Sequence, residues 1–387
     1  MTTADNRAIA EVQASANSAY RWLVAAVVLG FLAFGVGAAW DRAWHTRNPF
    51  EDFWSPPHLF IYTTHLLATL ALAKIAFTPD LRRHFGAPLR LPIVGDIPAA
   101  LVFAGGGFAV IAVAGVLDSI WHTRFGLDET AWSLPHSMLG SGILLSMLGF
   151  VSARFALSDD RPLARWAPAL FATVIVGALT GILLGPIDNN RTAEQVQAIA
   201  RIPVLAATPE FQHTARIYLT WELMRTGPLF IPLAAFAAGV ALAFARNLVG
   251  TWWAFLVVAL AATLLSGDRD TAGYLRLSPD PRNTAPIPYI VPALLAVALP
   301  RLRLDDVWAW RLAGLGFALA IAAVWGGTLV GIVAAAPLMA VAAPIGGWVA
   351  DLVRMPDRRV LRLGVVVGIV LPVMTGAADL YVRTRTP

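Results

Sequence analysis

Two stretches of the chain carry the same donor atoms in the same order. Residues 41–58 read DRAWHTRNPFEDFWSPPH, and residues 118–136 read DSIWHTRFGLDETAWSLPH. Each starts on Asp, places a His four positions on, and closes on Trp-Ser-x-Pro-His. Asp41 and His45 share a helix face at that spacing, as do Asp118 and His122, with β-carbons roughly 5–6 Å apart. Pro57 and Pro135 stand directly ahead of His58 and His136, and proline is well tolerated in the first turn of a helix. Each phrase therefore predicts one carboxylate and two imidazoles gathered where two antiparallel helices meet. Such a set is a metal-ligand set. Two His and one carboxylate with open positions suit iron(II), and imidazole also suits copper and zinc, so the residue types leave all three open. A single Asp or His near a helix end is most often an interfacial polar group. Six of them, repeated in spacing and in Trp and Pro context, argue for a built site.

Further candidates surround this set. His65 follows His58 by seven residues, on the same face but about 10 Å along the helix. It is expected to be a third ligand of a deeper metal, a proton relay or a helix-contact residue. His213 is placed to roof the site, and Glu222 and Arg216 are placed to orient the ring nitrogens of ligands. His65, His213 and Glu222 are the candidates for moving protons, and Met138 and Met147 stand near the fourth span as soft neighbours for copper. His84 falls at the opposite membrane surface, and Asp268 and Asp270 read as loop charges. Trp40, Trp44, Trp54, Trp121 and Trp132 read as an aromatic belt, and Gly105, Gly106 and Gly107 as a point of close helix packing.

The elements that hold these residues follow from composition. Of 387 residues, 58% are hydrophobic and 14% charged. Apolar runs recur near the ~20 residues that a spanning helix needs. Eleven spans are expected, near 21–45, 57–78, 97–121, 135–157, 165–185, 226–245, 249–266, 286–300, 309–331, 334–352 and 361–381. Backbone in lipid must satisfy its own hydrogen bonds, so helices are expected. The runs lack the alternation of a membrane barrel. The fold class is an all-α, polytopic membrane bundle with a duplicated helical hairpin. Its organisation is a polar tail at 1–20, two metal-binding hairpins at 21–157, a fifth span plus long outer segment at 158–225, and a C-terminal bundle at 226–387. An interfacial helix is expected near 210–225. No cleavable signal sequence is evident. Arg82, Arg83, Arg154, Arg301, Arg303, Arg358 and Arg359 fall on one side of this arrangement. That bias puts the N-terminus inside an inner (cytoplasmic) membrane and both phrases near the extracytoplasmic face. The absence of cysteine excludes disulfides and thiolate ligands, and no polybasic tract suggests nucleic acid.

The phrase resembles the C subunit of the particulate methane and ammonia monooxygenases, the copper membrane monooxygenases. That subunit carries an Asp-x3-His-x12-His set, which Asp41, His45 and His58 match in type and spacing. It also carries an Asn-x3-His-x13-His set. Asp118, His122 and His136 match this in spacing and depart from it in type, with Asp118 where the family has Asn. The likeness covers roughly residues 35–150, and the family works as a complex of three subunit types. It implies copper, dioxygen, a small substrate oxidised at a C–H or N–H bond, and an electron donor outside this chain. Two ions are expected, as a pair or as separate centres, with iron as the alternative. The rivals are a transporter of metal ions or small solutes, suggested by the many spans, and a copper-handling accessory subunit of another oxidase. A homo- or hetero-oligomer is compatible with each.

Overall fold

The structure is a computed structural model. It describes residues 3–45, 48, 53–125, 132–157, 201–209, 211–213, 215–217, 230–249, 294, 298, 305–325 and 327–385. The chain is a multi-pass helical membrane protein. Among the described residues seven helical stretches are long and apolar enough to cross a bilayer: Asn6–Asp41, Pro56–Phe77, Ala99–Phe125, Leu134–Ala156, Ile231–Leu248, Leu329–Arg354 and Arg359–Arg385. Each coincides with a span expected from the sequence. The expected spans at 165–185, 249–266 and, apart from two residues, 286–300 lie outside the described residues.

The first span is α1 (Thr3–Phe31), a π turn (Leu32–Gly37) and α2 (Ala38–His45) in one continuous rod. Next come α3 (Pro56–Phe77), the short α4 (Pro79–Arg82), a 3-10 turn (Arg83–Phe85) and a small antiparallel hairpin, β1 (Pro88–Leu91) and β2 (Gly95–Pro98). Gly95, at φ 85°, closes that hairpin in a conformation only glycine adopts freely. Then follow α5 (Ala99–Phe125), α6 (Leu134–Ala156), α7 (Pro203–Ala206), α8 (Phe230–Val249), α9 (Asp306–Trp325), α10 (Leu329–Arg354) and α11 (Arg359–Val365). A second π turn (Val366–Val370) leads into α12 (Leu371–Arg385).

Two compact units result. Met1–Leu127, Ser141–Arg165 and Leu352–Leu371 form the first. Asp128–Gly140, Trp166–Asp351 and Pro372–Pro387 form the second. In the first unit α1 lies against α3, and α3 and α11 lie against α5. Lipid acts as the solvent, so apolar side chains such as Leu59, Leu66, Leu67 and Leu70 of α3 are exposed. Small residues let helices approach closely. α5 and α6 meet on such residues. A β-carbon added at Gly107 would strike Ser146 and the Gly142 carbonyl, and one at Gly149 would strike the Ala104 backbone.

In the second unit α8 packs on α9. Gly239 and Gly346 bring α8 and α10 together, and Gly314 does the same for α9 and α10. The sequence placed a break between two spans near residue 332. The helices instead break after Trp325 and restart at Leu329. Thr328 is the reason: its Oγ1 accepts the Gly331 N–H at 3.1 Å, which satisfies one of the orphan donors at a helix start. Pro337 and Pro344 lie inside α10, where they omit two backbone donors without ending the helix.

Candidate metal centre

His58 stands in the first turn of α3, which opens on Ser55 with Pro56 and Pro57 supplying fixed φ. Asp41 lies near the end of the first span, on α2. Their side chains meet across the helix pair, with His58 Nε2 3.3 Å from Asp41 Oδ1. Only 15% of His58 and 23% of Asp41 is exposed. The contact joins two helices of the first unit, and the sequence had placed it by chain geometry alone. His45 ends α2 four residues after Asp41; its side chain lies outside the described residues.

The second phrase also brings a carboxylate to an imidazole. Asp118 Oδ1 is 3.6 Å from Nε2 of His122, one turn along the same helix α5. His136 lies in the first turn of α6, within the second unit. Its Nδ1 is 3.1 Å from Ser133 Oγ. That contact engages one of the two ring nitrogens. Ser137, next along, accepts a hydrogen bond from Thr375 Oγ1 of α12 at 2.7 Å.

The helices that carry the two phrases differ. The π turn at Leu32–Gly37 precedes Asp41, whereas α5 runs unbroken from Ala99 to Phe125. One extra residue in a turn rotates everything beyond it by about 100°. Asp41 is thereby turned towards α3. Gly37 makes the approach possible, since a β-carbon there would lie 2.5 Å from Ile61.

Both pairs of donors fit one ion each. Two ligands on bonds of about 2.1 Å at a tetrahedral angle stand about 3.4 Å apart. The observed 3.3 and 3.6 Å bracket that value. They are also distances of a plain ion pair, so the fit concerns donor type and spacing. Among the described residues, no group of three or more His, Asp and Glu side chains is gathered closely enough to hold a metal ion. The side chain of His45 lies outside the described residues, and His136 belongs to the second unit.

The remaining candidates separate. His65 sits two turns along α3 from His58, with its ring edge-on to Phe34 of the π turn (5.5 Å) and to Phe108 of α5 (4.9 Å). Its Nδ1 is buried without a hydrogen-bond partner. His65 is thus a contact between three helices, one that keeps a polar atom in an apolar place. His213 is half-buried in a short helical turn of the second unit, and Arg216 beyond it is exposed. That turn is capped by Thr208, whose Oγ1 accepts the Phe211 N–H. Glu222 lies outside the described residues. At the other end of the first span His84 meets Ser15 Oγ at 2.6 Å. Burial, then the Arg83 charge, holds His84 below the usual histidine pKa, against the opposing pull of Asp80.

Sequence reasoning missed two features. Asp379 and Arg383 of α12 form an ion pair at 2.7 Å, with 0% and 5% of their side chains exposed. An Asp inside an expected span was the available signal. Tyr62, stacked on His58 with ring centroids 5.7 Å apart, was hidden because a lone Tyr in an apolar helix announces nothing. Comparison with family models, with curated proteins and with solved structures gives no match to this chain.

Proposed function

We propose that the protein is a copper-dependent oxidoreductase of an inner membrane, which uses dioxygen to oxidise a small substrate at a C–H or N–H bond. The observation that carries this reading is the meeting of Asp41 and His58 across two helices, each from its own end of the repeated phrase. A carboxylate oxygen and an imidazole nitrogen are held together in a largely buried place. Asp41, His45 and His58 would hold one ion, and Asp118 and His122 would contribute to a second, with iron as the alternative metal. The N-terminus lies inside, and both sites lie near the extracytoplasmic face.

Bound copper would supply one-electron redox chemistry and activation of dioxygen. The chain supplies the rest. Asp41 fixes the ring of His58 from the neighbouring helix. Ser133 fixes the ring of His136 through Nδ1, the kind of outer contact that sets tautomer and orientation in metal sites. Apolar side chains from α3 and α5 keep bulk water from the donors. His65, with an unpaired buried nitrogen, is the proton-handling group on the lipid-buried side, and His213 and Glu222 are assigned the same role from the long outer segment. The electron donor is a quinol or a small redox protein.

One observation favours a second reading. The buried Asp379–Arg383 pair in the last span is the kind of intramembrane charge that often marks a solute or ion path. Metal analysis of the purified protein separates the two. Copper or iron is expected in the wild type, reduced in His58→Ala and in His122→Ala, and unchanged in Arg383→Met. Metal content equal in all four proteins removes the oxidoreductase reading.

A further inference from the structure

The rings around His58 do not stop at Tyr62. Tyr62 lies against Phe53, with centroids 4.9 Å apart and planes 33° from parallel. Phe53 meets Trp54 edge-on at 5.0 Å. Each separation is within the range of direct aromatic contact. Trp54 is 67% exposed. The four rings, His58, Tyr62, Phe53 and Trp54, thus form one contiguous path within the first unit, from the imidazole facing Asp41 to the protein surface. On the neighbouring helix Gly115 lies beside the phenol; a β-carbon there would stand 3.9 Å from the Tyr62 ring, an ordinary packing distance.

Two of the four rings are the side chains best able to lose one electron. Tyr does so with loss of its phenolic proton, and Trp with loss of its indole proton. They occupy the second and last places of the series, and Phe53 fills the gap between them. A core built only for packing has no need of this order. Apolar contact would be served by Leu or Phe at all three places, and an interfacial Trp needs no ring-to-ring connection to a buried His.

We propose that Tyr62 and Trp54, bridged by Phe53, are a one-electron relay between the His58 site and the protein surface. With the metal of the proposed function held at the site and oxidised by dioxygen, the site would take one electron from Tyr62, and the phenolic proton would pass to interfacial water. Tyr62 recovers an electron from Trp54 and a proton from water, and the indole proton of Trp54 leaves in turn. A one-electron reductant at the surface, quinol or small redox protein, restores Trp54, which takes back its proton. The net change is one electron from that reductant to the site. Tyrosyl and tryptophanyl radicals are close in potential, so the middle step runs in either direction. The use of the relay by a metal rests on the function proposed above; the relay itself rests on ring contacts alone.

The two are tested separately. Azide radicals from pulse radiolysis oxidise exposed Trp in the detergent-purified, metal-free protein. Absorbance then follows conversion of tryptophanyl to tyrosyl radical inside the molecule. A fast conversion is expected in the wild type and in Trp22→Phe, which alters an exposed Trp outside the series. It is expected to be lost in Trp54→Phe and in Tyr62→Phe, and slowed in Phe53→Leu. Trp54→Phe is an exposed, conservative change, so folding does not decide the outcome. Fast conversion of unchanged amplitude in Trp54→Phe or in Tyr62→Phe overturns the relay, whatever the metal content. Loss of conversion in a protein that binds no metal upholds the relay and ends only its proposed use.

Discussion

Replacing Arg383 by Met leaves the Asp379 carboxylate in a place where none of it reaches solvent. At 2.7 Å the pair gains about 6 kcal/mol of Coulomb attraction at an effective dielectric of about 20. Much of that is offset by removing both charges from water, so the pair's net contribution to stability is small. The offset disappears when only one partner is removed, because the other keeps its full desolvation cost. Arg383→Met and Asp379→Leu are therefore each expected to cost about 3–5 kcal/mol. The double variant is expected to recover most of that loss, since buried pairs replaced by apolar residues are often neutral or stabilising. Thermal unfolding in detergent, followed by loss of the monodisperse gel-filtration peak, reads all four proteins. If each single variant unfolds with the wild type, the pair is not held in a dry place. If the double variant loses the sum of the single losses, the two charges are not compensating each other.

Other expected outcomes follow from close packing and from titration. Gly149→Val drives a side chain into the Ala104 backbone, and overpacking of that kind costs about 1–3 kcal/mol. Gly106→Ala adds a β-carbon with nothing within 4 Å and is expected to gain up to about 1 kcal/mol from helix propensity. Equal melting of the two variants would refute the α5–α6 contact. Burial and then the Arg83 charge lower the pKa of His84, so its folded pKa lies below the unfolded value near 6.5. The unfolded chain then binds more protons between those two values, and stability falls as pH drops from 6.5 through the folded pKa. His84→Gln is expected to flatten the stability profile over that window, and an unchanged slope would show that other groups set it. Asp305→Ala removes the cap that accepts the Trp308 N–H at 2.8 Å and is expected to cost about 0.5–2 kcal/mol.

Hydropathy located every span that the structure describes because lipid leaves the backbone so few options. A segment must bond its own amides, and helical length then follows from bilayer thickness. The break between α9 and α10 was less legible. Hydropathy does not register a cap, and a single Thr hydroxyl at position 328 decides where α10 starts. The β-hairpin between α4 and α5 was missed for a similar reason. Its four-residue strands are too short to show a period of two.

The sequence by itself determined a membrane bundle and two copies of one Asp, His and His phrase, because residue type and spacing along the chain carry that information directly. Only the tertiary structure decided what each Asp meets. Asp41 reaches His58 on the next helix, whereas Asp118 reaches His122 on its own. The spelling of the two phrases is nearly the same; the π turn ahead of Asp41 is not repeated ahead of Asp118. The π turn ends on Gly37, where another helix passes close by. The close neighbour there is Ile61 of α3, a contact that no local spacing encodes.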